Sequence, residues 1–450
     1  MTSLSLAERS DQPLDAPAPA PAPSFARAIF PLVAMSLAMA AGFTMMNSFS
    51  IVQEAAKAEL GLSDKMLGLI QGVSAAVPLV LFSIPIGILV DRTHRVRLLI
   101  LFALIWTVGT AWTAFAGGVG TLFTARMLTG IGTTGALTAA LSLTADYCLP
   151  AERGRAMLIV NLGKSFGQAG AFALTGWILG LIVAGGLTLG LASDVAWRST
   201  HVILALVSVA LCLPLLFMRE PARREIEAQA GAPFRIVLRE LMARRAFLAP
   251  LFAGQTSVVM ADAAASIWAA PVLQRNYGIA PEIFAGWLGL IVLIAGIAGA
   301  ILGGVAADLG QKSGRRGGLL IGAIVAAACG IPAALFPVMG DATGFMVAIG
   351  ALILSGSVTG LVTSVALTVL IPNELRGLCI GAFISIAGLI GFGLAPVLVT
   401  LVADLLGGEA HLAPALAIVG VAVSVASLIA FVIAMRNAPA SATHGREQAA

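Results

Sequence analysis

The stretch GILVDRTHRVRLL, Gly87–Leu99, interrupts a strongly apolar sequence with five ionisable side chains in seven positions. Long runs of Leu, Ile, Val, Ala and Gly lie on both sides of it. Of the 450 residues, 59% are hydrophobic and 11% are charged, whereas a soluble globular domain has about 25% charged residues. The mean hydropathy is +0.99. The chain must therefore contact lipid along most of its length, and this stretch is predicted to connect two membrane-spanning helices.

Membrane-spanning segments recur along the whole chain. A transmembrane helix needs about 20 predominantly apolar residues, and the apolar runs are too long and alternate too little to be strands. Twelve segments have the required length: 28–51, 65–90, 97–117, 119–145, 155–184, 199–218, 246–271, 282–307, 317–338, 343–371, 376–403 and 412–436. The sequence therefore predicts an all-α membrane protein with twelve transmembrane helices.

The two halves of the chain resemble each other at their polar loops. GILVDRTHRVR follows the second segment and GGVAADLGQKSGRR follows the eighth, which places Asp91 and Asp308 217 positions apart. PAERGRA and PNELRGL are offset by 222 positions. An offset close to half the chain length is typical of a duplicated six-helix unit. We therefore predict two pseudo-symmetric six-helix bundles.

The predicted domains follow from these segments and from local composition. The bundles span 28–218 and 246–436, and a basic cytoplasmic linker at 219–245 joins them. Within the linker, FRIVLREL (234–241) is typical of a short amphipathic helix at the membrane surface. Residues 1–27, which contain a Pro–Ala run, and residues 437–450 are predicted to be disordered tails. The first residues do not have the pattern of a signal peptide.

The distribution of Lys and Arg predicts the orientation in the membrane. With the N-terminus inside, the inner segments hold 20 of the 26 Lys and Arg residues, the outer loops hold four, and two lie within helices. Cytoplasmic loops of membrane proteins carry the excess of positive charge. We therefore expect a multi-pass protein of the inner or plasma membrane, in contact with lipid, with both termini in the cytoplasm.

Three charged residues lie inside predicted helices: Arg126, Lys164 and Asp262. A charge in mid-membrane costs about 2.5–3.5 kcal/mol on the insertion scale, and such residues commonly mark substrate and ion pathways. Lys164 shares a helix face with Asn161 and Gln168, at i, i+3 and i+7. This face is predicted to bind an anionic substrate. The alternatives are a Lys paired with a carboxylate, or a Lys that extends to the membrane surface.

Asp262 is the only acidic residue deep in a predicted helix. It is the candidate for carrying a coupling proton, and the alternative is a static ion pair with Lys164 or Arg126. Arg126 is a candidate for substrate binding and for proton coupling, the alternative being a cation capped by backbone carbonyls. Trp268 is a further candidate for the substrate site. Ordinary helix packing is its alternative, and the same holds for Asn47, Gln71, Thr134, Ser357 and Thr363.

The sequence lacks the residue patterns that other classes of function require. The four cysteines and the four histidines form no metal-binding pattern, and the sequence has no GxxxxGK[ST] motif for nucleotide phosphates. A membrane enzyme would need clustered His, Asp or Glu within the helices. We therefore predict no enzyme activity, no cofactor, no metal site and no nucleic-acid partner.

The loop after the second segment resembles a signature of the major facilitator superfamily, roughly G-x-L-x-D-R-x-G-R-[RK]. The matching residues are Gly87, Leu89, Asp91, Arg92 and Arg95. The fourth segment resembles the R-x-x-x-G-x-G motif of the same family through Arg126, Gly130 and Gly132. LGLSDKMLGLIQG, followed by DRTHRVRLLILFALIWTVGTAWTAFA, is similar to the spinster-like branch. This chain departs from that branch at Thr44, Met45 and Thr133, where the branch often has an Asp–Arg pair and a Glu.

The resemblance implies roles in gating for the charged loop residues. It implies that Asp91 acts as a latch between the halves by facing the N-terminus of the eleventh helix near Arg376. Asp308 is the expected counterpart in the second half, and Arg92 and Arg95 are expected to hold the loop in the cytoplasm.

The favoured function is secondary active transport of a small organic solute by alternating access. An organic anion coupled to protons is the favoured substrate, because two cations and one acid lie within the helices. The alternatives are an exporter of lipophilic or drug-like compounds and, from another class, a membrane-embedded enzyme or sensor. We expect the transporter to be a monomer.

Overall fold

The computed structural model describes residues 25–149, 152–186, 195–223, 242–371 and 373–439, and all regular secondary structure in these ranges is helical. The first six membrane helices are α1 (Phe25–Leu60), α2 (Asp64–Arg92), α3 (Arg95–Ala114), α4 (Val119–Tyr147), α5 (Arg153–Val183) and α6 (Ala196–Phe217). The last six are α7 (Arg245–Tyr277), α8 (Pro281–Lys312), α9 (Gly318–Val338), α10 (Ala342–Leu370), α11 (Asn373–Leu406) and α12 (Leu412–Arg436).

The predicted fold class is confirmed. Eleven helical stretches within the described residues are long and apolar enough to cross a membrane. The twelfth is α4, which has 29 residues and is rich in Gly and Thr. Two of the described helices contain a π-helical turn: α2 consists of Asp64–Gly68, the π-helical turn Leu69–Val73, Ser74–Leu81 and Ser83–Arg92, and α11 consists of Asn373–Gly388, the π-helical turn Leu389–Leu394 and Ala395–Leu406.

Some helices extend beyond the apolar segments that predict them. Helix α1 begins at Phe25 and continues to Leu60 after a turn at Ser48, whereas the apolar segment covers 28–51. Helix α7 continues to Tyr277, six residues beyond its apolar segment. The added turns carry charged side chains that form ion pairs with other helices, so their helical conformation does not depend on contact with lipid.

Three hydrophobic cores divide the twelve helices. One contains residues of the first six helices, such as Trp106, and a second contains residues of the last six, such as Phe431. The third is shared, because Phe49 and Phe172 of the first six helices pack in one cluster with Trp268 of α7. The molecule therefore has two halves that are joined through a common core.

The shared core lies at one end of the molecule. It takes residues 49–70 around the connection from α1 to α2, and residues 260–273 of α7. The separate cores take residues 28–45 of α1 and 247–258 of α7, at the opposite ends of these helices. We call the first end the closed end and the opposite end, where α2 meets α3, the Asp91 end. The halves are joined at the closed end and have separate cores toward the Asp91 end.

Glycines permit the close approach of α5 to its neighbours. A Cβ atom at Gly163 would lie 2.1 Å from the carbonyl oxygen of Ser36 in α1. A Cβ atom at Gly289 of α8 would lie 2.6 Å from the carbonyl oxygen of Ala169 in α5. Small residues at such points allow the backbones of membrane helices to touch. Helix α5 is thereby held against α1 in its own half and against α8 in the other half.

The predicted bundle boundaries at 28–218 and 246–436 stay predictions. The amphipathic segment at 234–241 and most of both predicted tails lie outside the described residues. Residues 25–27 of the predicted first tail lie in the first turn of α1.

Candidate functional site

A cavity of about 20 Å³ lies between the two halves. The first half contributes Asn47, Gln71 and Arg126, and the second half contributes Ser266 and Phe392. The other lining residues are Met46, Ser74, Ala75, Gly130 and Ile267. Amide, hydroxyl and guanidinium groups therefore converge on an otherwise apolar space. We call this space the inter-half cavity.

Two π-helical turns form one wall of the inter-half cavity. They are Leu69–Val73 in α2 and Leu389–Leu394 in α11. The turns pack against each other so closely that a Cβ atom at Gly72 would lie 2.7 Å from the carbonyl oxygen of Phe392. Single π-helical turns inside α-helices are frequently found at functional sites. Gln71 and Phe392, one from each turn, both line the cavity.

Arg126 reaches the cavity from α4 and is 5% exposed. Its guanidinium donates hydrogen bonds to the carbonyl oxygens of Met45, at 3.0 Å, and of Met46. These carbonyls lie just before the turn in α1 at Ser48, and backbone carbonyls near a helix C-terminus favour a cation. The guanidinium carbon lies 5.6 Å from the ring centroid of Phe49. The Nε–H group is buried without a hydrogen-bond partner among the described residues.

Lys164 lies on α5 and is half-buried. Its ammonium group is 5.4 Å from the ring centroid of Phe43 in α1, an arrangement typical of a cation–π interaction. Within the described part of the chain, no carboxylate forms an ion pair with Lys164 or with Arg126. Both cations are therefore held against one stretch of α1, Phe43–Met46, and neither has an acidic partner among the residues that the structure describes.

The polar face around Lys164 leads away from the shared core. Phe172 is buried in that core, and Gln168 and Lys164 lie one and two turns before it on the same side of α5. Gln168 and Asn161 are exposed, and the Asn161 amide donates to the carbonyl oxygen of Met157 in the preceding turn. The face predicted to bind substrate thus begins where the contact between the halves ends.

Trp268 lies in the shared core and is fully buried. Its indole N–H donates to the carbonyl oxygen of Pro396 in α11, at 3.2 Å. Its ring packs against Gly68 of α2. It lies beside the cavity residue Ile267 in sequence and contributes to the contact between the halves.

Asp262 is separated from both cations. It projects from α7 toward α10 within the second half, where a Cβ atom at Gly356 would lie 2.4 Å from a carboxylate oxygen. It forms no ion pair with Lys164 or Arg126, and its Oδ1 is buried without a hydrogen-bond partner among the described residues. The static pair that the sequence left open is not present in this conformation.

The charged residues of the Asp91 end fall into two groups. Asp91, Arg92 and Asp308 are exposed, and the carbonyl oxygen of Asp91 accepts a hydrogen bond from Arg223. Arg376 lies in the first turn of α11, with its side chain outside the described atoms. The latch between Asp91 and α11 stays a prediction.

Arg95 has contacts that the charge pattern did not indicate. It is 3% exposed and is bound by Asp146 at the end of α4 and by Glu220 after α6, the latter at 2.9 Å. Burial would raise the pKa of the Glu220 carboxyl, but hydrogen bonds from Val96 N–H and from Arg95 outweigh it and hold that pKa below its usual value. Arg95 therefore ties three helix ends of the first half together. His94 also contacts Glu220, at 3.1 Å.

Ion pairs join the halves at the closed end. Arg275 of α7 binds Glu54 of α1 at 2.7 Å and Asp64 of α2 at 2.6 Å. Lys57 of α1 binds Asp64 at 2.6 Å and also binds Glu409, which precedes α12. We call these five residues the closed-end network. Three of the four outer Lys and Arg residues, Lys57, Lys65 and Arg275, pair with an acid of the opposite half. In the sequence, these cations contribute only to the count of Lys and Arg that predicts the topology.

A freed backbone carbonyl makes another contact between the halves. Pro271 in α7 has no N–H to donate to the carbonyl of Ile267, four residues earlier. That carbonyl instead accepts a hydrogen bond of 2.6 Å from the Gln53 amide of α1. The side-chain amide oxygen of Gln53 accepts in turn from the side-chain amide of Gln71. This chain of bonds closes the inter-half cavity on the side of the closed end.

His201 packs among aromatic rings near the start of α6. It lies in α6 with no exposed surface, packed 5.9 Å from the ring of Phe49. Its Nδ1 is 3.0 Å from the carbonyl oxygen of Trp197, and its Nε2 has no partner among the described residues. Phe49 therefore contacts both Arg126 and His201.

The family follows from comparison with known proteins. The model of the Major Facilitator Superfamily matches residues 33–396, which is most of the chain. The chain belongs to the Major Facilitator Superfamily. The predicted resemblance is confirmed, and the protein is accordingly a multi-pass membrane transporter rather than an enzyme.

Two relatives in this superfamily are transporters of organic solutes. A "Probable 4-methylmuconolactone transporter" of Cupriavidus pinatubonensis (strain JMP 134 / LMG 1197) is 27% identical over 362 residues, which cover 77% of this chain and 78% of that protein. A "Probable sulfoacetate transporter SauU" of Cupriavidus necator (strain ATCC 17699 / DSM 428 / KCTC 22496 / NCIMB 10442 / H16 / Stanier 337) is 30% identical over 170 residues, which cover 38% of this chain and 36% of that protein.

The fold is also that of a solved transporter. The crystal structure of a bacterial homologue of the human lysosomal transporter Spinster, in an inward-facing and unoccupied conformation, has a TM-score of 0.73. The sequences are 21% identical, and the match covers 92% of this chain and 95% of that chain. This similarity shows a common fold.

Proposed function

We propose that the protein transports a small organic anion by alternating access, in which the two halves move between two conformations. Protons are the proposed coupling ion. The observation that carries this proposal is the pair of cations, Arg126 and Lys164, that reach one stretch of α1 without a described carboxylate partner. A cation in a membrane protein is normally paired or faces a watery path. A carboxylate or sulfonate of the substrate would supply the missing negative charge.

The relatives support an organic acid as the substrate. One of them is described as a transporter of sulfoacetate, which is an organic anion, and the other as a transporter of 4-methylmuconolactone. We propose that the anionic group binds between Arg126 and Lys164. Asn47, Gln71 and Ser266 would then orient the rest of the substrate, because their amides and hydroxyl line the inter-half cavity.

The arrangement of the cores supports alternating access. The halves share a core at the closed end and have separate cores toward the Asp91 end. The Lys and Arg count predicts that the Asp91 end is cytoplasmic. We therefore propose that this conformation is open to the cytoplasm, and that transport requires the closed-end network to break and the Asp91 end to close.

Asp262 is the proposed proton carrier. It lies on α7, which also presents Ser266 and Ile267 to the inter-half cavity. Because 1.5 Å of rise separates successive residues, Asp262 and Ser266 are about 6 Å apart along the helix axis. Loss or gain of charge at Asp262 would change how α7 packs on α10, and α7 would transmit that change to the substrate.

Uptake into proteoliposomes tests the proposal. The panel contains sulfoacetate, other small carboxylates and sulfonates, a neutral sugar and a lipophilic cation, each with and without a pH gradient. We expect an anion to accumulate only with the gradient. Lys164→Ala should abolish this uptake, and Lys164→Arg should retain much of it because the charge is kept. Asp262→Asn should stop accumulation but leave exchange of anion for anion.

Lys312→Ala serves as the control, because Lys312 is an exposed cation at the end of α8. Movement of the lipophilic cation but of no anion would favour the exporter instead. Normal uptake by both Lys164→Ala and Asp262→Asn would overturn the proposal.

A further inference from the structure

A second cavity lies inside the second half, away from the two cations. It is enclosed by α7, α9, α10 and α12, and its volume is about 10 Å³, which is close to the room that one water-sized particle needs. The lining residues are Val258, Ala261, Asp262, Ala327, Gly330, Leu352, Ser355, Gly356, Ser424 and Ser427. We call this space the Asp262 pocket.

The polar groups of the Asp262 pocket are all oxygen ligands. They are one carboxylate, from Asp262, and three hydroxyls, from Ser355, Ser424 and Ser427. Oδ1 of Asp262 and Oγ of Ser427 are buried with no hydrogen-bond partner among the described residues. A buried polar atom without a partner costs about 1–3 kcal/mol. Two such atoms in one small pocket, on helices far apart in the chain, indicate a missing ligand that both oxygens contact.

Glycines leave the room that such a ligand needs. A Cβ atom at Gly356 would lie 2.4 Å from a carboxylate oxygen of Asp262, and one at Gly330 would lie 3.1 Å from Oγ of Ser355. A side chain at either position would therefore push against the oxygens of the pocket. Ser355 itself donates to the carbonyl oxygen of Ala326, at 2.5 Å, which turns its lone pairs toward other donors or a cation.

We propose that the Asp262 pocket binds one monovalent metal cation, such as Na⁺, in competition with a proton. Hard cations select oxygen ligands, and the lining contains no Lys, Arg or His that would repel a cation. One carboxylate neutralises one positive charge, and within the described residues no group of three or more His, Cys, Asp or Glu could hold a multivalent ion. A water molecule alone would leave the carboxylate charge uncompensated inside the membrane.

The inference deepens the proposed function, on which its link to transport rests. Either cation would neutralise Asp262, so a proton and Na⁺ would have the same effect on the packing of α7 against α10. The binding of Na⁺ itself is independent of the substrate, because the pocket shares no lining residue with the inter-half cavity.

Equilibrium binding of ²²Na⁺ to the purified full-length protein tests the inference. We expect saturable binding at pH 8.5 that weakens as the pH falls, because protons compete for the carboxylate. Asp262→Asn should abolish binding, and Ser427→Ala should weaken it several-fold. Ser257→Ala is the control on α7 and Ser364→Ala the control on α10, because neither serine lines the pocket and each hydroxyl donates to a carbonyl of its own helix. Thermal melts verify that each variant is folded.

Three results would overturn the inference. The first is the absence of saturable ²²Na⁺ binding to the folded protein at pH 8.5. The second is binding that Asp262→Asn leaves intact, and the third is binding that the control variants weaken as much as Ser427→Ala does. Proton-driven anion uptake without Na⁺ binding would reject the cation site and leave the proposed function standing. Na⁺ binding that needs Asp262, in a protein that moves no anion, would reject the proposed function and leave the site standing.

Discussion

Removal of the Arg275 guanidinium should shift the protein toward conformations that are open at the closed end. Arg275 donates two hydrogen bonds to Glu54, at 2.9 and 2.7 Å, and two to Asp64, at 2.6 and 2.7 Å. Both acids belong to the opposite half. Opening therefore breaks these four bonds in the wild type, whereas Arg275→Gln opens without that loss.

The size of the shift follows from burial. An exposed ion pair contributes about 0–1 kcal/mol, and removal of one partner from a buried pair costs about 3–5 kcal/mol. The Arg275 side chain is 22% exposed and that of Asp64 is 3% exposed, and Lys57 still pairs with Asp64 in the variant. We expect about 3 kcal/mol, which is roughly a hundredfold change in the ratio of closed to open molecules.

Distances between spin labels measure this ratio. With the four native cysteines replaced, labels at the exposed positions Met66 and Leu405 report the separation of α2 and α11 at the closed end. The wild type should give one short distance, and Arg275→Gln should add a longer one. Arg315→Gln is the control, because it removes an exposed guanidinium from the loop before α9. An unchanged distance distribution in monodisperse Arg275→Gln protein, or an equal change in the control, would refute the reasoning.

Three further predictions concern the Asp91 end and the packing of the first half. Asp91→Asn should lower the transport rate while leaving equilibrium substrate binding intact, as measured by uptake and by direct binding; lost binding would contradict a latch. Gly163→Ala should lower the melting temperature and reduce the free energy of unfolding by about 1–3 kcal/mol, because the added Cβ would meet the backbone of α1. Gly154→Ala on the same helix is the control and should leave the melting temperature unchanged, because an added Cβ there meets nothing within 4 Å. Glu220→Gln should lower the melting temperature at pH 7. The lowered pKa of Glu220 stabilises the fold when the pH is above the unfolded value of about 4.3. That stability is lost as the pH falls through the folded pKa, so the difference in melting temperature between the wild type and Glu220→Gln should vanish in acid.

Hydropathy was sufficient to predict the fold because lipid imposes one rule on every helix. Each apolar segment that spans the membrane must satisfy its backbone as a helix, so all twelve segments were visible without knowledge of their neighbours. The same rule does not apply beyond the lipid. The last turns of α1 and α7 are polar, and there Glu54 and Arg275 pair with each other. A hydropathy pattern contains no information about that pairing.

The candidate site was predictable in its parts and not in its arrangement. Arg126, Lys164 and Asp262 are identifiable from the sequence because a charge in a membrane helix is costly. Which of them meet depends on contacts between helices. Asp262 faces Gly356 and Ser427, which lie 94 and 165 positions later in the chain, so the spacing along α7 could not indicate a pocket separate from the cations.

Arg95 illustrates the same limit at the surface. The excess of Lys and Arg in its loop predicts only the side of the membrane. The two acids that pair with Arg95 are Asp146 and Glu220, and both lie at the ends of other helices. A count of charges cannot separate this structural arginine from its neighbour Arg92, which is exposed.

Helix α7 connects the three places at which a cation, a substrate and a gate would act. It carries Asp262 in the pocket of the second half, Ser266 at the inter-half cavity and Arg275 in the closed-end network. Thirteen residues separate the first and the last of these, about 20 Å along the axis at 1.5 Å per residue. Pro271 lies between them and frees the carbonyl that Gln53 holds. A tilt of the part beyond Pro271 would break the closed-end network, and the bond to Gln53 would pass that movement to the cavity before it reaches Asp262.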